Sequence, residues 1–300
     1  MVRDLKKVKI IRQNLTAYSM LLPSLTGILL FSAVPLFLSL YVSLTDWNFT
    51  QGIGNWNFIG LENFKSLWTD EWFIASLKNT CIFTIVTVPI GLILSAIFAV
   101  IIDDFCSKRA AGVVRVAMYM PHICNSVAIS VVWTALYSKH GPLTYLMRLL
   151  GWKDPPRFLA SYTWALPAIM LVVLWAQLGY RVFIYSAALT SLPRDLYESA
   201  EIDGANGIRK FWNITIPLLK PTTFFLTITG IIGSFKVFTY VNIMTHGGPG
   251  SSTYTLVYYI YTTAFQYYRM GYGSAIAVIL FFILLAVTII QWVQNSRNYD

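Results

Sequence analysis

The polar residues that could do chemistry in this chain are few, and their types suit binding and coupling better than bond-breaking. A catalytic constellation needs a nucleophile beside a base, or metal ligands converging on one point. The chain offers three scattered histidines (His122, His140 and His246) and no His-Glu-x-x-His. The acidic pair Asp103-Asp104 adjoins Lys108 and Arg109 and reads as a solvated flank. Cys81, Cys106 and Cys124 lie in or beside apolar stretches and read as buried thiols, with no disulfide framework or zinc spacing among them. No Gly-x-x-x-x-Gly-Lys-Ser/Thr phosphate loop occurs, and Asn63-Phe64-Lys65-Ser66 lacks the glycine before lysine. Two groups remain. One is a polar loop, Glu198-Ser199-Ala200-Glu201-Ile202-Asp203-Gly204, followed by Ile214-Thr215-Ile216-Pro217. The other is a set of polar and aromatic residues inside apolar runs: Trp175, Gln177, Gly179 and Tyr180, then Gly230, Ser234, Lys236, Thr239, Tyr240 and Asn242. Polar groups at membrane depth are costly, so they point to a pathway or to bonds between helices.

The elements that must position these residues are membrane spans. Apolar residues make up 56% of the 300 positions and charged residues 12%, so the chain cannot hide its apolar surface in a water-facing globule. An all-α membrane protein is expected, with spans at about 18–44, 79–102, 116–138, 162–187, 222–243 and 273–294. Each exceeds the about 20 residues needed to cross a core of about 30 Å. The first is too long for a cleavable signal, and no small-residue site closes it. The formal charge of +9 does not mark nucleic acid as a partner, because the charges sit at the ends of the spans. Placing both termini in the cytoplasm puts thirteen Lys and Arg inside against seven outside, with five of them in the segment 1–17 ahead of the first span. Much of the aromatic content then belongs to interfacial belts and three outer loops.

Within that topology residues 191–221 form a cytoplasmic loop. Ser191 is the expected cap of a short helix and Pro193 suits its first turn. Leu196, Ala200 and Gly204 fall at i, i+4 and i+8, a stripe of small residues that lets another surface approach the backbone. Asp195, Glu198 and Glu201 occupy the early turns, which the helix dipole favours. Gly204 weakens the helix and lets the chain turn, and Pro217 and Pro221 bound the approach to the next span.

The full spacing, Glu-x-Ala, three residues, Gly, nine residues, Ile-x-x-Pro, resembles the loop by which the permeases of bacterial ATP-driven (ABC) importers dock onto their ATPases. Ser199 stands where that pattern usually has Ala, and Ile216 where it has Leu. Further strings resemble the sugar-transporting, maltose and oligosaccharide branch. They are Gly60-Leu61-Glu62-Asn63-Phe64, Gly141-Pro142-Leu143-Thr144, Gly247-Gly248-Pro249, Ala264-Phe265 and Gly271-Tyr272-Gly273-Ser274-Ala275. The resemblance implies the type I importer permease fold in one domain over 18–300. It implies ATPase docking through Leu196, Glu198, Ser199, Ala200, Asp203, Gly204, Ala205 and Pro217. It also implies a substrate path through Trp175, Gln177, Gly179, Tyr180, Gly230, Ser234, Lys236, Tyr240 and Asn242, because the equivalent spans form the sugar site in that branch.

The implied assembly lies in a bacterial inner membrane. It has a second, different permease chain, two ATPases that hold the ATP and Mg, and an extracytoplasmic solute-binding protein that delivers a sugar, expected to be an oligosaccharide. This chain is then no enzyme and binds no cofactor itself. The alternatives are an importer of the same type for a non-sugar solute, an intramembrane enzyme, or an ion-coupled secondary transporter. The last would favour acidic residues or broken helices within the membrane. Lys236 is expected to face the path or snorkel outward, Arg181 to snorkel or make a salt bridge at the inner end, and His122 to be a satisfied packing histidine.

Overall fold

The computed structural model describes residues 18–52, 54 and 56–296, so the expected cytoplasmic segment 1–17 lies outside it. Helices dominate, and the pairing of Thr45 with Phe58 is an isolated bridge and not part of a sheet. Five helices are long and apolar enough to cross a membrane, or six if one bent pair counts as a span. In chain order the principal helices are α1 (Tyr18–Val42), α2 (Glu71–Phe105), α3 (Lys108–Ile123), α4 (Ser126–Leu136) and α5 (Ala165–Thr190). They continue with α6 (Arg194–Ile202), α7 (Lys220–Phe235), α8 (Thr239–Met244) and α9 (Met270–Ser296).

Two of the apolar runs behave differently from a single straight span. The run 116–138 is divided between α3 and α4, which are bent by 95° at Cys124–Asn125. The Asn125 Oδ1 accepts from the Val127 amide at 2.9 Å and starts a new helix inside an uninterrupted apolar stretch. The run 222–243 is divided between α7 and α8, with Lys236–Phe238 non-helical between them. There the Val237 carbonyl, without a helical partner, accepts from the Thr255 hydroxyl at 3.0 Å. Irregular backbone at membrane depth is tolerated where it is buried or lines a cavity.

By its contacts the chain falls into two units. The larger one runs from Leu67 to Thr262 with the end of α9. Its capping carboxylate, Asp70, accepts from Trp72 and Phe73 amides at 2.9 and 3.2 Å, so α2 starts eight residues before the apolar run does. Thr80, Thr84 and Thr87 bond back to carbonyls four residues earlier at 2.7–2.8 Å, which lets a threonine ridge sit buried in an apolar bundle. α5 is the hub. Ile169, Val172, Val182 and Tyr185 are almost wholly buried against α2, α3, α7 and α8. A Cβ at Gly179 would overlap the Met118 carbonyl of α3, so only glycine permits that approach. The Tyr185 hydroxyl donates to Thr223 Oγ1 at 3.0 Å and ties α5 to α7. Large apolar residues point outward, such as Ile85 and Phe183 at 71% and 50% exposure, as lipid-facing helices require.

The smaller unit comprises α1, the chain to Ser66, and Thr263–Ile279. No described residue in the apolar window of α1 is buried. Asn63 is buried at the end of α1 and donates to the Ser43 and Thr45 carbonyls at 2.9 and 2.8 Å. Gly271 lies against the Thr45 carbonyl, where a Cβ would clash, and donates to the Trp47 carbonyl at 3.0 Å. All three cysteines are free, but Cys124 is exposed and Cys81 and Cys106 are half-buried, so the reading of three buried thiols is corrected.

Candidate translocation cavity and docking segment

At the break between α7 and α8 lies a partly open cavity of about 160 Å³. One water occupies about 30 Å³ of liquid, so several waters or one small polar group would fit. Its polar lining comes from Thr87 on α2, Gln177 and Arg181 on α5, Ser234 at the end of α7, Lys236 in the break, and Thr239 and Tyr240 on α8. Of the nine expected path residues it thus brings together Gln177, Ser234, Lys236 and Tyr240. Gly230 lies just outside the lining: a Cβ there would sit 3.4 Å from Val88 and 3.6 Å from Arg181. The others lie elsewhere. Trp175 packs edge-on against Trp133, ring centres 5.5 Å apart. Gly179 touches α3, and Tyr180 stacks on His122 at 4.8 Å. Asn242 is half-buried beyond the lining. His122 packs between α3 and α5 against Tyr119 and Tyr180, and keeps an exposed side.

Arg181 corrects a second expectation. It neither snorkels nor, among the described residues, pairs with a carboxylate. It is 4% exposed, donates to the Thr87 carbonyl and to Gln177 Oε1 at 3.3 Å each, and turns into the cavity. A Cβ at Gly91 would overlap its guanidinium, so that glycine opens the slot. Gly91 on α2 and Gly230 on α7 are remote in sequence, which is why α5 alone gave no sign of the burial.

The segment expected to dock an ATPase is built from the end of α5. Ser191 does not cap the next helix; its hydroxyl donates to the Ala188 carbonyl at 2.7 Å and closes α5 instead. Pro193 takes the N-cap place of α6, with extended backbone and no side-chain cap. At the other end Gly204 has φ +75°, its amide meets the Glu201 carbonyl at 3.0 Å, and the Ala205 amide meets the Ala200 carbonyl at 2.9 Å. These two bonds are the Schellman ending, which calls for a left-handed residue and hence glycine. Asn206 Oδ1 then accepts from the Arg209 amide at 2.9 Å and begins the next helical turns, which run through Thr215 to Leu218. Two ties fold this return against α6: Tyr197 Oη with Thr215 Oγ1 at 2.9 Å, and Lys210 Nζ with Glu201 Oε1 at 2.6 Å. Glu198, Ser199, Asp203, Gly204 and Pro217 are exposed, as is Leu196, while Ala200 and Ala205 are half-buried. Three apolar residues absent from the expected set complete the surface: Ile202, Ile208 and Trp212, at 88%, 71% and 63% exposure. Their apolar type in a polar inner loop was the available signal.

A helical membrane bundle with a broken span beside a cavity lined by polar groups, and a loop helix with exposed apolar residues, fits the membrane subunit of a transporter. The chain belongs to the family of binding-protein-dependent transport system inner membrane components, whose sequence profile matches residues 71–297. It is therefore a multi-pass membrane subunit and not an enzyme. Among its relatives, a probable ABC transporter permease of Bacillus subtilis is 33% identical over 97% of this chain and 94% of its own. An sn-glycerol-3-phosphate permease of Agrobacterium fabrum is 34% identical over 81% and 83%. A lactose permease of Rhizobium radiobacter is 33% identical over 91% and 90%. In fold the chain is similar to a crystal structure of a bacterial ABC transporter for alginate import, with a TM-score of 0.85 over 97% of this chain and 99% of that one at 24% identity. It is also similar to the alginate transporter in complex with its pentasaccharide-bound periplasmic protein, with a TM-score of 0.81 over 94% of both chains at 25% identity.

The broken spans also bear on the ion-coupled alternative. They were expected to accompany such a transporter, yet they occur here in a member of a binding-protein-dependent family. A break in a span therefore does not identify the energy source.

Proposed function

We propose that this chain is one permease half of an ATP-driven importer that carries a saccharide inward by alternating access, with both termini in the cytoplasm. The observation that carries the reading is the docking segment: a Schellman-ended helix whose exposed Leu196, Ile202, Ile208 and Trp212 need a protein partner to leave water. The partner is an ATPase that holds ATP and Mg on its own residues. ATP-driven closure of two such ATPases would move the docking helices together and shift the spans between inward-open and outward-open packings.

A second permease chain completes the path on the open side of the α7–α8 cavity. A solute-binding protein delivers cargo at the end opposite α6, in line with the bound periplasmic protein of the alginate transporter. A polyhydroxylated cargo suits the lining, because Ser234, Thr239, Tyr240 and Gln177 supply both donors and acceptors. The relatives point the same way, with lactose, starch degradation products and sn-glycerol-3-phosphate in their names.

The test is energy coupling in membrane vesicles containing the assembled importer. Uptake should persist when an ionophore collapses ion gradients at constant ATP, and stop when ATP is withdrawn. Uptake that collapses with the gradient while ATP is held would favour the ion-coupled alternative.

A further inference from the structure

The cavity at the α7–α8 break holds a charge that a neutral sugar does not explain. Arg181 is buried and both of its acceptors, the Thr87 carbonyl and the Gln177 amide oxygen, are neutral. Among the described residues the ion pairs are Arg115–Asp103 and Lys210–Glu201, so no described carboxylate pairs with Arg181 or Lys236. Lys236 lines the same cavity, whose lining contains no carboxylate. An uncompensated guanidinium at membrane depth is costly, and packing alone would be served as well by a neutral side chain. Two glycines, Gly91 and Gly230, leave room for it.

A second basic feature lies at the end of the bundle opposite α6. A cavity of about 610 Å³ there is lined by Lys139, Arg148, Arg157 and His246, with Asp154 the one carboxylate in its wall. Arg181 comes sixteen residues into α5 from that end, about 24 Å of helical rise, and Lys236 is the first residue past the end of α7. Cations thus line two separate cavities, one at the end opposite α6 and one midway along α5. Such a lining raises the local concentration of anions and repels cations.

We propose that the cargo is an anionic saccharide, carrying a carboxylate or a phosphate ester, whose oxyanion is attracted past Lys236 and held by Arg181. This rests on the reading of the cavity as part of the import path. The guanidinium has five N–H donors, of which two are engaged, so a planar fork remains for an oxyanion. A carboxylate and a phosphate ester share this chemistry, and the experiment separates them.

The complete importer, with partner permease, ATPases and binding protein, is reconstituted in proteoliposomes and given three cargoes: di- to tetragalacturonides, the same oligomers after reduction of their carboxyls to alcohols, and a hexose phosphate. Either acidic cargo, and not the reduced neutral one, is expected to be taken up and to stimulate ATP hydrolysis; whichever acts identifies the source of the charge. Arg181→Gln should lower uptake of the accepted anion about 10–100-fold, mainly by raising the apparent KM. Arg181→Lys, which keeps the charge, should recover part of it and separates recognition from folding. Lys236→Gln should give a smaller loss. Preferred transport of the carboxyl-reduced oligomer would overturn the proposal, as would an Arg181→Gln importer that carries the anion like wild type. Uptake of none of the three by a complex that assembles and hydrolyses ATP would overturn the saccharide reading beneath it.

Discussion

Replacing Gly204 with aspartate should leave the spans folded and disconnect them from ATP hydrolysis. Gly204 lies at φ +75° with nothing within 4 Å of where a Cβ would be, so the substitution meets no steric clash within this chain. The intrinsic cost is the left-handed backbone, about 1–2 kcal/mol for an ordinary L-residue and less for Asp or Asn, which visit that region more readily. A carboxylate at the C-terminal end of α6 adds about 0.3–1 kcal/mol of unfavourable dipole interaction. That sum falls on a nine-residue helix outside the bundle, so melting of the spans should move by a few degrees at most. Against a closely approaching partner the effect is larger. Leaving one unpaired charge in a buried interface costs about 3–5 kcal/mol, or about 10²–10⁴-fold in docking. Gly204→Asn controls for shape and backbone and should be milder. The assay is cargo-stimulated ATP hydrolysis by the reconstituted importer, with thermal melting of the same samples. Normal stimulation in Gly204→Asp would refute the docking role, and a collapsed melting transition would refute the claim that the strain is local.

Other perturbations test other parts of the account. Ser234→Trp places a large ring where a 7%-exposed hydroxyl borders the cavity; uptake should stop while the ATPases still co-purify, and undiminished uptake would remove Ser234 from the path. Gly179→Ala should force α5 and α3 apart at Met118, costing about 1–3 kcal/mol of stability, and an unchanged melting temperature would contradict that packing. Asn63→Ala leaves the Ser43 and Thr45 carbonyls without their buried donor and should cost about 1–3 kcal/mol, read as faster hydrogen exchange in 43–66. The Asp46 carboxyl, outside the spans, is held below the usual carboxylate range by the Asn57 side chain and then by its backbone amide. A lowered pKa stabilises the folded loop above the ordinary value and loses that contribution as pH falls through the lowered one. Exchange protection at Asn57 should therefore be flat from neutral pH to about pH 5 and fall below about pH 4. Loss of protection on raising the pH would reverse the sign and refute the assignment.

The sequence shows the helical class and the turn that ends α6 clearly because both rest on short-range physics. Runs of apolar residues have no stable alternative to helix in a bilayer, and the Schellman ending is written in the spacing from Ala200 to Ala205. Its departures come where local signals compete. Ser191 has the side chain of a helix cap, but the chain uses it to close α5, and Pro193 turns the backbone. The run 116–138 contains no charge, so its hydropathy conceals the new helix that Asn125 starts. Asp70 starts α2 by capping, ahead of the apolar signal. The cavity was only partly legible. Gln177, Ser234, Lys236 and Tyr240 stand out as polar groups in spans, whereas Thr87 looks like packing and Arg181 like an inner flank. What places them together is the break after Phe235 and two glycines on helices distant in sequence. The Gly60–Phe64 and Gly271–Ala275 strings have a structural reason: Asn63 and Gly271 both serve the end of α1.

The central claim is that α6 and its return carry an ATPase that drives cargo through these spans. Its most direct test is purification of the detergent-solubilised chain after co-expression with its neighbouring genes, scored for associated subunits and for sugar-stimulated ATP hydrolysis. Co-purification of a second permease and an ATPase, with hydrolysis that rises on adding cargo-loaded binding protein, is the predicted result. A folded chain that purifies without any ATPase, with the exposed Ile202, Ile208 and Trp212 uncovered, would contradict it.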